Sequence, residues 1–212
     1  MHKDVFSGLK LDNGEPIYTQ EYIQSLRDTD KKHPDKLKII AQRGGQEDML
    51  SIDADIKICG GSRGGSKSFS SLMEVLKDVK NPDFHATILR NEKDDLQSLV
   101  TDSYKLFSQF GTYNKSQNDM TWNFDNGGWL KFSYYAGSYQ DFKTRFQGRQ
   151  YAYVCIDEGT QCPYKKFKYL LTNNRNAAHI RNRFWITCNP DPESWVRTFI
   201  DWWVTDEGTI AP

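Results

Sequence analysis

A glycine-rich segment, CGGSRGGSKSFSS, constrains this chain more than any other part of its sequence. It lies between a short apolar strand, DIKIC at residues 55–59, and a segment at 69–79 whose apolar side chains recur at helical spacing. A strand that runs through glycines into a helix is typical of phosphate binding, because the backbone N–H groups of the loop and the helix N-terminus converge on an anion. The segment therefore predicts a nucleotide-binding loop.

This loop carries nearly every group that binding of a nucleoside triphosphate requires. Lys67 would reach the β- and γ-phosphates, and the Ser68 hydroxyl would bind Mg²⁺. Phosphate loops ordinarily have glycine before the lysine, where this chain has Ser66, and we expect its N–H to remain available if the residue keeps helical φ and ψ. A plain flexible turn is the alternative interpretation. The backbone groups that would surround the phosphates belong to Gly61, Ser62, Arg63, Gly64, Gly65 and Ser66.

Two acidic residues end an apolar strand further along the chain, in YAYVCIDE at 151–158. Open α/β sheets bind ligands at the carboxyl ends of their strands, which is where these acids lie. Asp157 would hold Mg²⁺ directly or through water, and Glu158 would polarise the water that attacks the γ-phosphate. A pair of solvated acids at a strand end is the alternative interpretation.

A third apolar strand, within FWITCNP at 184–190, also ends in polar side chains. Thr187 and Asn189 could sense whether a γ-phosphate is present. Taken alone, the segment favours the alternative interpretation, a strand that simply leads into an Asn-Pro turn. In combination, three strands that end in phosphate-loop, Asp-Glu and Thr-x-Asn chemistry, in that order, favour a nucleotide hydrolase.

Composition limits the remaining possibilities. The 212 residues carry no formal net charge, so no overall basic field indicates a nucleic-acid partner. The apolar runs are far shorter than a membrane-spanning helix, and no secretion signal begins the chain. The cysteines lack metal-ligand spacing and are expected to be buried, reduced thiols of a cytosolic protein; they are Cys59, Cys155, Cys162 and Cys188.

Strands and helices alternate along the chain, which predicts a mostly parallel sheet flanked by helices. Apolar segments at 120–124 and 129–135, joined by a loop that contains Asp125-Asn126-Gly127-Gly128, predict an antiparallel hairpin inserted in that sheet. The polar residues 1–36 are expected to form an N-terminal extension. The other strands are expected at 55–59, 85–90, 151–158 and 184–190, and helices at 69–79, 94–110, about 163–171 and 194–204.

Four ordered segments, GSRGGSKS, ILRNEKDDLQSLV, RFQGRQYAYVCIDEGTQ and ITCNP, resemble the ATPase domain of the large terminase subunit of tailed bacteriophages. That family is the motor that drives DNA into a preformed capsid. The resemblance covers residues 37–204 and implies an α/β P-loop NTPase fold of the additional-strand, catalytic-glutamate type, which hydrolyses ATP with Mg²⁺. It also implies a homo-oligomeric ring in the host cytoplasm, with double-stranded DNA, the portal protein and the small terminase subunit as partners and no membrane.

The resemblance assigns roles residue by residue. Lys67 and Ser68 match the Walker A lysine and hydroxyl, Asp157–Glu158 match the Walker B pair, and Thr187–Asn189 resembles the coupling motif. Gln46 resembles the glutamine that reads adenine, although a glutamine on a surface helix would look the same. Arg63 lies where the family often has an arginine that touches the γ-phosphate or organises the loop.

An arginine that acts on a neighbouring subunit's nucleotide is less well defined in this sequence. The family often has it just before a glycine that precedes Walker B, and here that position is Gln147. Arg145 and Arg149 lie on either side, and either could act in trans or be an ordinary surface arginine. Arg90, after the second strand, is a further candidate for phosphate or DNA contact, with a surface role as its alternative.

Two further expectations concern the C-terminal residues and the alternative functions. Residues 205–212 are expected to begin a linker to a nuclease domain outside this sequence, so we expect no nuclease activity from these residues. The alternatives to a packaging motor are another nucleic-acid-translocating ATPase, of helicase or recombination type, and a non-catalytic nucleotide-binding module whose loop has degraded at Ser66.

Overall fold

A computed structural model describes residues 41, 45–61, 66–114, 116, 119–177, 180–189 and 191–201. The chain divides into two compact units, Met1–Asp53 and Ala54–Pro212. The described part of the first unit contains one helix, α1 (Gly45–Ser51), in which the Gln46 side chain is buried. The domain boundaries predicted after residues 36 and 204 lie outside the described residues.

Among the described residues of the second unit, seven strands form one sheet in the order β1-β7-β6-β2-β5-β4-β3. The first five strands in that order are parallel, and β4 and β3 continue the sheet as antiparallel strands. The bounds are β1 (Ile56–Cys59), β2 (His85–Arg90), β3 (Gly111–Asn114), β4 (Thr121–Phe124), β5 (Trp129–Tyr134), β6 (Tyr153–Ile156) and β7 (Arg183–Thr187).

Helices connect and cover these strands. α2 packs against α3, and α4 packs against α5. Within the described ranges, every helix is too short or too polar to span a bilayer. The bounds are α2 (Lys67–Val75), α3 (Gln97–Phe107), α4 (Tyr139–Phe146), α5 (Tyr164–Asn173) and α6 (Trp195–Ile200), with 3₁₀ turns at Asp94–Leu96 and Gly159–Gln161.

The core lies around the central strands. Every residue of β6 and of β7 is buried, which is the pattern of parallel strands that are covered on both faces. Aromatic rings extend this core, since Phe167 of α5 packs edge-on against Phe184 and stacks on Trp195 with ring centroids 4.6 Å apart. The four cysteines are buried and free, as predicted.

The predicted alternation of strands and helices is confirmed, and so is the hairpin formed by β4 and β5. Its strand β5 also pairs in parallel with β2, so the hairpin extends the main sheet. The sequence prediction missed β3, whose segment GTYN offers a single β-branched residue and alternates between half-buried and exposed. The helix predicted at 94–110 was too long, because a 3₁₀ turn begins it and α3 ends at Phe107.

Candidate nucleotide-binding site

Four neighbouring parallel strands end at one edge of the sheet, and each brings a residue of interest to that edge. Gly61 follows β1, Thr187 ends β7, Asp157 follows β6 and Arg90 ends β2. Carboxyl ends of parallel strands meet at the same edge, where open α/β sheets bind their ligands. The fold therefore brings together the three segments that the sequence singled out.

Asp157 lies at the centre of this edge. The Ser68 hydroxyl donates to its Oδ1 at 2.8 Å, and the Thr187 hydroxyl donates to the same oxygen. The Asp157 residue is only 1% exposed, so its carboxylate depends on these protein donors. Its own N–H donates to the Leu89 carbonyl at 2.8 Å, which fixes the residue to the end of β2.

The oxygen atoms of Ser68 and Asp157 fit a magnesium ion. Mg²⁺ prefers oxygen ligands and is usually bound by one or two protein groups together with phosphates and waters. In the described part of the chain, no group of three or more His, Cys, Asp and Glu side chains could hold a metal ion by itself. Two oxygen donors of this kind suit a metal that takes its other ligands from nucleotide phosphates and water.

Lys67, the first residue of α2, links the glycine-rich loop to the end of β7. Its ammonium donates to the Gly61 carbonyl at 3.0 Å and to Asn189 Oδ1 at 3.4 Å. Lys67 and Asn189 are 122 positions apart in the chain. The lysine thus lies between two of the predicted phosphate-contacting segments.

Ser66 has a left-handed backbone, with φ of 54° and ψ of 19°. The right-handed helical φ and ψ that were named as the condition for an available N–H are therefore not adopted. Glycine adopts such a conformation at no steric cost, which explains why phosphate loops ordinarily have glycine here. A left-handed residue beside the right-handed start of α2 is one of the backbone arrangements that point successive N–H groups at an anion.

Five of the predicted site residues lie outside the described ranges or in the other compact unit. The remaining loop residues lie outside the described ranges; they are Ser62, Arg63, Gly64 and Gly65. Gln46 belongs to the first compact unit, so its proposed contact with adenine stays a prediction.

Glu158 is the other described non-glycine residue with a positive φ, at 59°. The Tyr135 hydroxyl donates to its carbonyl at 3.1 Å, and its own N–H lies 3.4 Å from the Thr187 hydroxyl oxygen. Its carboxylate accepts from the Gln161 side chain at 3.2 Å and is only partly buried. Strained backbone of this kind concentrates at functional sites, so the two left-handed residues, Ser66 and Glu158, support the location of this site.

Gly159 is a residue that the sequence reasoning missed. A Cβ at this position would lie 2.3 Å from Ile186 Cγ2, so a side chain would collide with β7. The glycine therefore lets the turn after Glu158 lie directly on β7. The sequence signal was a glycine immediately after the acidic pair, in CIDEG.

Arg90 is neither a surface residue nor directed away from the site. Its Nε lies 2.7 Å from Asp157 Oδ2, in an ion pair whose side chains are 13% and 1% exposed. Its Nη1 donates to the Asp95 carbonyl at 2.7 Å and to the Ser98 hydroxyl at 2.8 Å. Sequence reasoning did not connect Arg90 to Asp157, because nothing in the sequence specifies that β2 lies beside β6.

The two arginines that flank Gln147 have different surroundings. Arg145 stacks on the Tyr134 ring, 3.7 Å from its centroid, and donates to the Tyr134 carbonyl at 2.6 Å. Arg149 is exposed, and its Nε donates to the Arg145 carbonyl at 2.9 Å. Arg145 is therefore engaged within its own chain, whereas Arg149 presents its guanidinium group to solvent.

The strand β7 lies between β1, which precedes the glycine-rich segment, and β6, which is followed by the acidic pair. This strand order is typical of P-loop NTPases of the additional-strand type. Residues 58–211 match the family model described as "Terminase large subunit, T4likevirus-type, N-terminal". That match covers more than half of the chain. The chain therefore belongs to this family of terminase large subunits. No similar sequence was found among curated proteins.

Solved structures of phage terminases share this fold. The large terminase from a thermophilic bacteriophage is 19% identical, with a TM-score of 0.57 over 71% of this chain and 39% of its own. The large terminase of bacteriophage HK97 is 12% identical, with a TM-score of 0.59 over 79% and 37%. The ATPase domain of the Thermus phage P74-26 large terminase is 13% identical, with a TM-score of 0.57 over 90% and 76%. This chain thus spans about two fifths of the first two proteins and about three quarters of that ATPase domain.

Proposed function

We propose that this chain hydrolyses ATP and thereby powers the movement of double-stranded viral DNA into a capsid. The observation that carries the proposal is the convergence of Ser68, Asp157 and Thr187 at one sheet edge, with Lys67 at the start of the adjoining helix. Membership of the terminase family supports it. So does the large terminase from the thermophilic bacteriophage, which was solved in complex with ADP and in that form has a TM-score of 0.53 to this chain.

Each of the residues at this edge would have its own role in phosphoryl transfer. Lys67 would donate to the β- and γ-phosphate oxygens, because its ammonium already lies between Gly61 and Asn189. Ser68 and Asp157 would hold Mg²⁺, which when bound would neutralise charge on the phosphates. Thr187 and Asn189 would report the presence of the γ-phosphate to β7.

Glu158 would act on the water that attacks the γ-phosphorus. The bond from phosphorus to the attacking oxygen forms as the bond to the ADP oxygen breaks, and the proton of the water passes to the Glu158 carboxylate. Gln161 holds that carboxylate on one oxygen in the present structure, which leaves the other oxygen for water. Gly159 lets the turn that follows Glu158 lie directly against β7.

Completion of the site would need an arginine from a neighbouring subunit. We favour Arg149 for this role, since Arg145 is engaged with Tyr134 while Arg149 is exposed. Such a residue can contribute about 10³–10⁵ in rate, so an isolated subunit would be slow. Arg63 is a second candidate for contact with the γ-phosphate within the same subunit, and Gln46 would read the adenine.

The remaining parts of the proposal follow from family membership. The working form would be a homo-oligomeric ring on the capsid, in the cytoplasm of the infected bacterium. Its partners would be double-stranded DNA, the portal protein and the small terminase subunit.

Measurement of ATP-dependent phosphate release tests the hydrolytic part of this proposal. The unmodified chain is expected to release phosphate in the presence of Mg²⁺, and Lys67→Ala is expected to abolish the release. Lys105→Ala is the matched control, because Lys105 is an exposed lysine of α3 that pairs with Asp102 on the same helix. Equal rates in Lys67→Ala and Lys105→Ala would refute the proposed site.

A further inference from the structure

Arg90 connects the candidate metal site to the start of α3. On one side its Nε contacts Asp157 Oδ2 at 2.7 Å. On the other side its Nη1 is held by the Asp95 carbonyl at 2.7 Å and the Ser98 hydroxyl at 2.8 Å. The guanidinium group is therefore fixed at both ends rather than free to follow the carboxylate.

The two oxygens of Asp157 have separate partners. Oδ1 accepts from the hydroxyls of Ser68 and Thr187, whereas Oδ2 accepts from Arg90. A carboxylate that is held at only one oxygen can rotate about its Cβ–Cγ bond, because this terminal torsion is broad. The Arg90 contact on the second oxygen therefore determines the direction in which Oδ1 faces Ser68.

Charge gives a second reason for the contact. Asp157 is 1% exposed, and a buried carboxylate without a compensating cation is strongly disfavoured. Arg90 supplies that cation when no metal is bound, and its Nη2 also lies 3.5 Å from the Ser68 hydroxyl oxygen, so it contacts both groups that would hold the metal. An arginine suits this position better than a lysine, because its planar fork donates in several fixed directions at once.

We propose that Arg90 is a positioning residue for the divalent metal, acting through Asp157 and anchored by Asp95 and Ser98. This inference rests on the proposed nucleotide site. Arg90 itself does not touch the nucleotide in this proposal. It orients the Asp157 carboxylate so that this group and the Ser68 hydroxyl present a preformed pair of oxygens to Mg²⁺.

Calorimetric titration of the protein with ADP, once with Mg²⁺ and once with a chelator, tests this role. The ratio of the two affinities measures the enhancement that the metal provides. In Arg90→Gln, the enhancement is expected to fall by about 10-fold or more, as is typical when a group that orients a metal ligand is removed. The affinity for metal-free ADP is expected to stay close to that of the unmodified protein.

The controls separate positioning from a merely structural effect. Arg197→Gln removes an exposed arginine that pairs with Asp201 at the end of α6, and it should leave both affinities unchanged. If Arg90→Gln fails to fold, Arg90→Lys retains the charge without the fork, and it is expected to lose part of the metal enhancement.

Two results would overturn the inference. One is full metal enhancement in Arg90→Gln or, where only that variant folds, in Arg90→Lys. The other is an equal loss of affinity with and without Mg²⁺, which would indicate a general structural role. Absence of ADP binding by the unmodified protein is a separate outcome, and it would refute the nucleotide site on which this inference rests.

Discussion

The Ser68 hydroxyl lies 2.8 Å from Asp157 Oδ1, although 89 positions separate the two residues in the chain. Ser68 is in the first turn of α2, and Asp157 directly follows β6. They meet because β7 alone separates β1 from β6 in the sheet, so the start of α2, which follows β1 in the chain, lies close to the end of β6. Thr187 at the end of β7 completes the group by donating to the same carboxylate oxygen.

Thr187→Val should lower ATP turnover by about tenfold or more at saturating ATP, because the hydroxyl that orients the Asp157 carboxylate is lost while the shape is kept. Thr87→Val is the matched control, since Thr87 is a buried β2 threonine whose hydroxyl donates to the Lys131 carbonyl instead. Turnover by Thr187→Val equal to that of Thr87→Val would count against a role for Thr187 in the site.

Gly159→Ala should destabilise the fold by about 1–3 kcal/mol, because the new Cβ would lie 2.3 Å from Ile186 Cγ2 and overpack the contact with β7. Chemical denaturation measures the free energy of unfolding. Gly60→Ala is a suitable control, as a Cβ there meets nothing within 4 Å. A free energy of unfolding unchanged by Gly159→Ala would show that the turn moves aside without cost.

The lowered pKa of Lys57 predicts that the free energy of unfolding depends on pH. Burial lowers the pKa of this lysine from its ordinary 10.5 to about 8, against the opposing charge of Glu74 at 3.8 Å. Between pH 8 and 10.5 the unfolded chain therefore binds a proton that the folded chain has released. The contribution of Lys57 to the free energy of unfolding should rise with pH across this window, by up to about 1.4 kcal/mol per pH unit.

Lys57→Met isolates this effect, because the other titrating groups are common to both proteins. Lys77 and Arg183 also pair with Glu74, at 2.8 Å and 2.9 Å, so Glu74 is expected to keep two cationic partners in the variant. Denaturation at about pH 7 and about pH 9.5, on either side of the lowered pKa, should show that the unmodified protein gains stability relative to Lys57→Met at the higher pH. A difference between the two proteins that does not change with pH would disprove the lowered pKa.

Of the two arginines that flank Gln147, we expect Arg145 to stabilise the fold and Arg149 to contribute to ATP turnover. Arg145→Ala should lower the free energy of unfolding by about 1–2 kcal/mol, since it loses the stack on Tyr134 and a hydrogen bond. Arg149→Ala, which removes an exposed side chain, should change that free energy by less than about 0.5 kcal/mol and still lower turnover.

Mixing variants tests whether Arg149 acts on a neighbouring subunit. A subunit with Arg149→Ala keeps its own ATP site, and a subunit with Glu158→Gln keeps its Arg149. A mixture of the two should hydrolyse ATP faster than either variant alone under conditions where subunits associate. Undiminished turnover by Arg149→Ala alone would exclude this arginine.

The sequence predicted the strands other than β3, and it singled out the glycine-rich loop and the acidic pair, because each is a local pattern of apolar, glycine and charged residues. Strand order is not local, so the partner of Asp157 had to be read from the structure: Arg90 is 67 positions away and meets it because β2 lies beside β6. The left-handed backbone of Ser66 was also missed, since a serine gives no signal for a positive φ. Gly159 depends on a contact with Ile186 that only the packing of the turn on β7 creates.

The most direct test of the central claim compares ATP binding and ATP hydrolysis in Glu158→Gln and in the unmodified protein. Glutamine keeps the size of the side chain and cannot take a proton from water, so the variant should bind ATP with Mg²⁺ as tightly and release almost no phosphate. Equilibrium binding of labelled ATP, followed by assay of released phosphate from the same sample, measures both properties. Retained ATP with no phosphate is the predicted result, and phosphate release at the unmodified rate would contradict the account.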